Sequence, residues 1–533
     1  MQQPGATICL LKHRNLTADG SDGTDESPAC GWFRLQPPAC FDVHQDMSLL
    51  LRLSLPASVL LFCCAAGAAT GTSEDAEGRL RMALQIARER NDPALVAEVE
   101  KTGGQVRAAR QSGKSEGVDE ELRAIESKVG IDPGGWSMSG QPLFHGTPEM
   151  IEKEKALGPK LAAAMKSDDA AQVRAVTEEM RTILGDQAGV PDGRRAGRKS
   201  EAQPMSEAAA TKLFLDALAG EGRYTRSLVE GKPLPDQMVR LYAYVLSATN
   251  TIRPFAEKHQ PDTVADLDKL TGGVAGILTK LQQPDGHFPF PDLRGRNIRF
   301  GDMIQSQLDS GKATVRDGWI ISPDPDGGSQ FDTGVCGSAL LAAGQLQAND
   351  AWKSAGRRAA DWALSQPCCA NFNYNAFSVS LLANAFRSSG DTKYLDGAVK
   401  KFRVGVAPGQ APNGRWLDAH NARTVYHVII LRGIGDLASV LPADRQAERT
   451  ELDEVARPAI KALLDEFDAM GITVEALPEL LTLATLYPED RRLAGAVQAM
   501  AGSLIAKSTD GKRVKMGAQP DQLAAVAAAS AFR

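Results

Sequence analysis

The sequence predicts an all-α protein, and three observations carry that prediction. From Ser206 to the C-terminus, apolar residues recur at helical spacing in twelve segments. Almost no alternating strand signal interrupts them. The breaks between segments alternate between short and long, so the segments pair into hairpins that bury their apolar faces on one another.

In chain order the predicted helices span 206–219, 236–258, 262–283, 333–347, 350–365, 374–389, 391–404, 421–439, 448–469, 473–487, 489–506 and 521–531. The short breaks fall at 259–261, 348–349, Gly390, 440–447 and Pro488. Those before the even-numbered helices run long, at 220–235, 284–332, 366–373, 405–420 and 507–520, with the short break before 473 as the exception. If the even helices run parallel, the long loops gather at their N-termini. Loops held on a rigid scaffold are where binding residues are usually placed, and helix N-termini add partial positive charge.

The chain has 533 residues, with 60 basic against 66 acidic side chains and a net charge of -6. Basic runs interleaved with aromatics are missing, so nucleic acid is not an expected partner. Residues 47–69 read as a secretory signal: Arg52, an apolar run from Leu53 to Cys64 too short to span a bilayer, then small residues ending at Ala69. A secreted or periplasmic protein is expected, with Met47 as the true start and 1–46 as an upstream extension. Cys63 and Cys64 allow a lipid anchor, although Phe62 stands where a small residue is wanted. Residues 73–203 form an Ala-, Glu- and Lys-rich helical appendage, two similar hairpins followed by a basic linker at Arg194–Lys199, with a docking or spacer role expected. The main domain is expected over 205–533. Three cysteines remain beyond the signal, Cys336, Cys368 and Cys369, and one bridge from Cys336 to the vicinal pair suits an oxidising compartment.

The candidate site centres on Gly414 to His427, which holds two of the seven His. On a continuous helix His420, Arg423 and His427 fall within about 60° of one another, with Tyr426 and Asn421 flanking them. A solvated face more usually carries Lys, Glu and Gln, so this arc reads as a set of proton donors, proton acceptors and a fixed cation. Trp416 and Asp418 precede it. The 366–373 loop leads into Asn371, Asn373, Tyr374 and Asn375, where amides alternate with aromatics, a combination suited to sugar hydroxyls and pyranose faces. The 284–332 loop contributes His287 and Trp319 and closes on Asp324, Asp326 and Asp332. Asp324 and Asp326 invite comparison with a Ca2+ loop but lack the closing Glu, and turn formation explains them as well. Asp332 is either an N-cap or a carboxylate facing the cleft. No cofactor is expected otherwise.

The six-hairpin pattern over 205–533 resembles the (α/α)6 toroid shared by many glycoside hydrolases, polysaccharide lyases and sugar epimerases. The resemblance implies a cleft at the N-terminal ends of the inner helices and a polysaccharide or oligosaccharide substrate. It is similar in inventory to uronate-cleaving lyases, which implies Asn421 or Arg423 neutralising the sugar carboxylate, His420 or His427 as base and Tyr426 as acid. These roles transfer by chemistry alone, because no lyase signature matches residue by residue. A hydrolase on this fold implies paired carboxylates, for which Asp332 and Asp418 are the best pair and Asp324 or Asp326 substitutes. An epimerase implies His420 and His427 as acid and base. A toroid that binds a glycan or protein without chemistry is the remaining expectation.

Overall fold

The computed structural model describes residues 80, 83–84, 87–88, 92–111, 118–129, 148–190, 204–234, 237–294, 298–322, 328–509 and 519–532. The signal-like segment 47–69 lies outside them, as do Asp324 and Asp326. Among the described residues no helix is long and apolar enough to cross a membrane.

The N-terminal part contributes α1 (Pro93–Gln111), α2 (Val118–Lys128), α3 (Pro148–Lys166) and α4 (Ala170–Leu184). Then come α5 (Glu207–Gly220), α6 (Arg223–Val229), α7 (Val239–His259), α8 (Val264–Leu281), α9 (Ile298–Asp309), α10 (Gly328–Leu346), α11 (Asp350–Ser365) and α12 (Phe372–Ser389). The chain closes with α13 (Thr392–Gly405), α14 (Ala419–Ala422), α15 (Thr424–Ala438), α16 (Gln446–Met470), α17 (Leu477–Leu486), α18 (Arg491–Thr509) and α19 (Pro520–Ala531).

Six of these helices close a ring, in which α7 packs on α10, α10 on α12, α12 on α15, α15 on α17, α17 on α19, and α19 back on α7. Each carries an outer partner: α8 on α7, α11 on α10, α13 on α12, α16 on α15, α18 on α17, and α5 against α19 and α7. The chain therefore folds as an all-α (α/α)6 toroid. The inner helices run parallel. Arg240 meets Asp332 and, further along both helices, Asn250 donates to the Ala339 carbonyl. Ser380 likewise meets Asp436, and Arg432 meets Glu479. Close approach depends on small residues: a Cβ on Gly433 of α15 would sit 2.6 Å from the Ala376 carbonyl oxygen of α12.

Two elements differ from expectation. The predicted helix 421–439 breaks at Arg423, whose ψ of 142° is extended, leaving one short turn, α14, ahead of α15. The 284–332 loop is ordered by α9 and by an antiparallel sheet of β1 (Phe290–Pro291), β2 (Thr314–Arg316) and β3 (Trp319–Ile321) in the order β1-β3-β2. Phe290 pairs with Ile320 and Val315 pairs with Ile320 from the other side. Leu293, Ile304, Ala313 and Ile320 give this excursion its own small core. In the N-terminal part, Ala83, Ala87, Val99, Ile125 and Val129 pack as a separate cluster. By contrast, Leu157, Leu161, Met165, Val173, Met180 and Leu184 of the α3–α4 hairpin join the toroid's main core.

Candidate functional site at the toroid axis

Two groups of polar side chains lie along the inner helices, the first at their N-terminal ends and the second reaching further along them. The first is built by the loop into α15. Asp418 caps α14 by accepting from the Asn421 backbone at 2.8 Å, and also accepts from the Asn421 side chain at 2.9 Å. Asn421 in turn accepts from the side chain of Asn373 on α12 at 2.8 Å. Asn373 Oδ1 is left buried without a hydrogen-bond partner. Beside this chain the His420 ring stacks on Tyr426, with centroids 4.0 Å apart, and the Arg423 guanidinium lies 4.7 Å over the same tyrosine. Arg423 also donates to His420 Nδ1. An arginine only donates, so Nδ1 is the acceptor and the neutral ring carries its proton on Nε2. Burial, and secondarily the Arg423 charge, hold His420 well below the ordinary histidine range. In this arrangement His420 is a neutral imidazole whose Nδ1 is engaged by Arg423.

The second group circles the axis with contributions from all six inner helices. Asp332 of α10 pairs bidentately with Arg240 of α7, at 2.8 and 3.1 Å. The Arg240 guanidinium lies 3.9 Å over Phe331, which stacks on Phe377 of α12 at 4.1 Å. Tyr244 and Tyr374 face Arg240 closely enough to act on its charge. Tyr244 also faces Asp521 of α19 and Arg432 of α15. Arg432 lies 3.7 Å from Glu479 of α17, and Gln522 of α19 hydrogen-bonds to the same carboxylate. Asp436 of α15 completes the circle by accepting from Ser380 of α12. The Arg432 side chain keeps 28% of its exposure, whereas Glu479 beside it keeps 9%.

Two carboxylates in this circle were not anticipated from the sequence. Glu479 and Asp521 are 9% and 7% exposed, and Glu479 Oε2 and Asp521 Oδ1 have no hydrogen-bond partner. Burial raises Glu479, opposed by the Arg432 charge. Burial, and then the charge of Glu479, push Asp521 up to about 7. Both carboxyl groups are thus held above the ordinary carboxylate range, Asp521 as far as about 7. Both sit in the first turn of their helices, at Leu477–Pro–Glu479 and Pro520–Asp521, and that shared position is the sequence signal that could have found them.

Several expected site residues lie elsewhere. His427 is fully buried between the rings, its Nε2 donating to Ala459 of outer helix α16 at 2.8 Å, and it is not an axial base. The break at Arg423 is the cause, because it separates His420 from the face on which His427 lies. Trp416 is also fully buried, donating to the Val406 carbonyl at 3.0 Å and meeting His427 edge-on, so it is not a sugar platform. Asn375 spends its amide on the Cys369 and Gly405 carbonyls, both at 2.8 Å, bracing the loop to α13 and facing away from the axis. Asn371 caps α12 by accepting from the Asn373 backbone. His287 pairs with Asp285 at 2.6 Å and packs on Trp362 of outer helix α11, while Trp319 of β3 packs against the main core.

Asp332 is not an N-cap either, since α10 begins a turn earlier at Gly328, and burial raises it against the pull of Arg240. Asp418 serves as a cap, and burial raises it too. Their expected pairing is replaced by separate partnerships with Arg240 and Asn421. Cys336, Cys368 and Cys369 are buried free thiols, so the expected bridge is not formed.

No model of a known protein family matches the chain, and no curated protein matches it. Among solved structures the chain is similar to cellobiose 2-epimerase from Spirochaeta thermophila DSM 6192. The match has 11% identity and a TM-score of 0.35, covering 67% of this chain and 96% of that one.

Proposed function

We propose that the chain is a carbohydrate-active enzyme that binds a saccharide at the N-terminal mouth of the toroid and hydrolyses a glycosidic bond with Asp521 and Glu479. The observation that carries this reading is the pair itself: two buried carboxylates on neighbouring inner helices, one of them raised to about 7, each with an oxygen lacking a partner. Asp521 donates its proton to the glycosidic oxygen as the bond to the anomeric carbon breaks. Glu479, whose charged form Arg432 favours, takes a proton from the water whose oxygen bonds to that carbon. Asn373, Asn421, His420 and Tyr426 supply amide, imidazole and aromatic contacts to the sugar. An extracellular polysaccharide is the substrate that goes with the secretion expected from residues 47–69.

Uronate cleavage by elimination is the second reading, favoured by the Arg423 cation over Tyr426. A panel of neutral and acidic polysaccharides, assayed for new reducing ends and for the ultraviolet absorbance of unsaturated uronate, separates the two. Hydrolysis releases reducing ends without absorbance, and Asp521→Asn and Glu479→Gln each lower kcat about 100-fold or more while retaining binding. A rise in absorbance that survives both substitutions overturns the hydrolase and supports elimination. Binding without either product makes the toroid a lectin-like module.

A further inference from the structure

The turn that carries the saccharide-facing residues is gripped from outside the toroid. Between α13 and α14 the chain doubles back, with Gln410 bridged to Trp416. On the toroid side Gln410 donates to the Val455 carbonyl of α16 at 2.8 Å. At Gly414, where φ is 83°, a Cβ would sit 2.3 Å from the Pro458 carbonyl oxygen. On the other side stand α4 and the residues that follow it. Arg181 Nη2 donates to the carbonyls of Pro408 and Gln410 at 2.8 and 2.9 Å. The Gly189 amide donates to the Leu417 carbonyl at 3.0 Å, and Asn413 donates back to the Gly189 carbonyl at the same distance. Leu417 immediately precedes Asp418, the cap that orients Asn421.

We propose that the α3–α4 hairpin is a clamp on this turn, with Arg181 as a positioning residue for the saccharide site; the site's function rests on the reading above. A spacer would make exchangeable surface contacts. Here the hairpin instead satisfies backbone carbonyls of the turn that no helix or sheet ladder can reach, and the carbonyls lie within ten residues of the Asp418 cap.

The test compares hydrogen exchange over 405–423 in Arg181→Met, Asn413→Ala and Lys400→Ala. The last breaks the hairpin's exposed ion pair with Asp168, 2.7 Å long, which involves no carbonyl of the turn. Arg181→Met keeps the aliphatic stem but removes the donors. Exchange over 405–423 is expected to quicken about tenfold or more in the first two variants, with α15 unchanged and Lys400→Ala like the parent. On a saccharide that is turned over, KM is expected to rise about tenfold with kcat little changed. Arg181→Lys should restore part of both. Unchanged exchange in Arg181→Met and Asn413→Ala, or faster exchange with an unchanged KM, overturns the clamp. Should no saccharide be turned over, the exchange result alone decides the clamp, and the failure belongs to the proposed function.

Discussion

At the scale of single residues, Asp521 sets a pH dependence that can be measured without knowing the substrate. The unfolded chain releases this proton near 3.8, whereas burial and Glu479 keep it bound in the fold to about 7. The folded state binds the extra proton across that window. Its contribution to stability is therefore complete below 3.8 and is lost as pH rises to about 7. Urea midpoints of the parent should fall between about pH 5 and pH 7.5, and Asp521→Asn should flatten that fall. Glu479 is raised as well and leaves a residual slope of the same sign. An equally steep decline in Asp521→Asn would show that the proton is held elsewhere. Activity that depends on Asp521 as acid should decline above about pH 7 in parallel.

At the scale of elements, α14 is the weak point. A four-residue turn cannot sustain itself, and its N-terminal amides are satisfied by Asp418. Replacing Asp418 with Ala should cost about 1–2 kcal/mol of stability by denaturant titration. It should also release the Asn421 side chain from its two bonds to that carboxylate, weakening saccharide binding by more than the stability loss alone would suggest. Wild-type affinity in a folded Asp418→Ala would show that the Asn373–Asn421 chain does not touch the sugar. The break at Arg423 matters for the same reason, because it turns His420 toward Tyr426 and leaves His427 to the outer ring.

At the scale of the whole molecule, the toroid is a ring whose axis is polar and whose closure depends on contacts far apart in sequence. Arg240 and Asp332 join α7 to α10 across the long 284–332 excursion. Arg240→Met strands the Asp332 carboxylate, which is 4% exposed, and should cost about 3–5 kcal/mol. Adding Asp332→Leu should recover most of that loss, because the buried charge is then gone as well. A double variant no more stable than Arg240→Met would mean that the pair contributes through packing on Phe331. Equilibrium denaturation of the three variants decides between these outcomes.

Helical periodicity is local, and it was enough to place all twelve toroid helices within a few residues of their positions, from Glu207–Gly220 to Pro520–Ala531. Loop alternation was enough to put the long connections at the N-termini of the inner helices. Which polar residues reach the axis was not legible in the same way. His427 on α15 and Trp416 in the turn before α14 are fully buried, and they have the same composition signal as Asn421 and Tyr426 while facing the other direction. Glu479 and Asp521 were overlooked because an acidic residue in a first turn ordinarily serves the helix dipole. Their meaning depends on α17 lying beside α19 and on α19 closing against α7, a juxtaposition set by ring closure and by no local pattern.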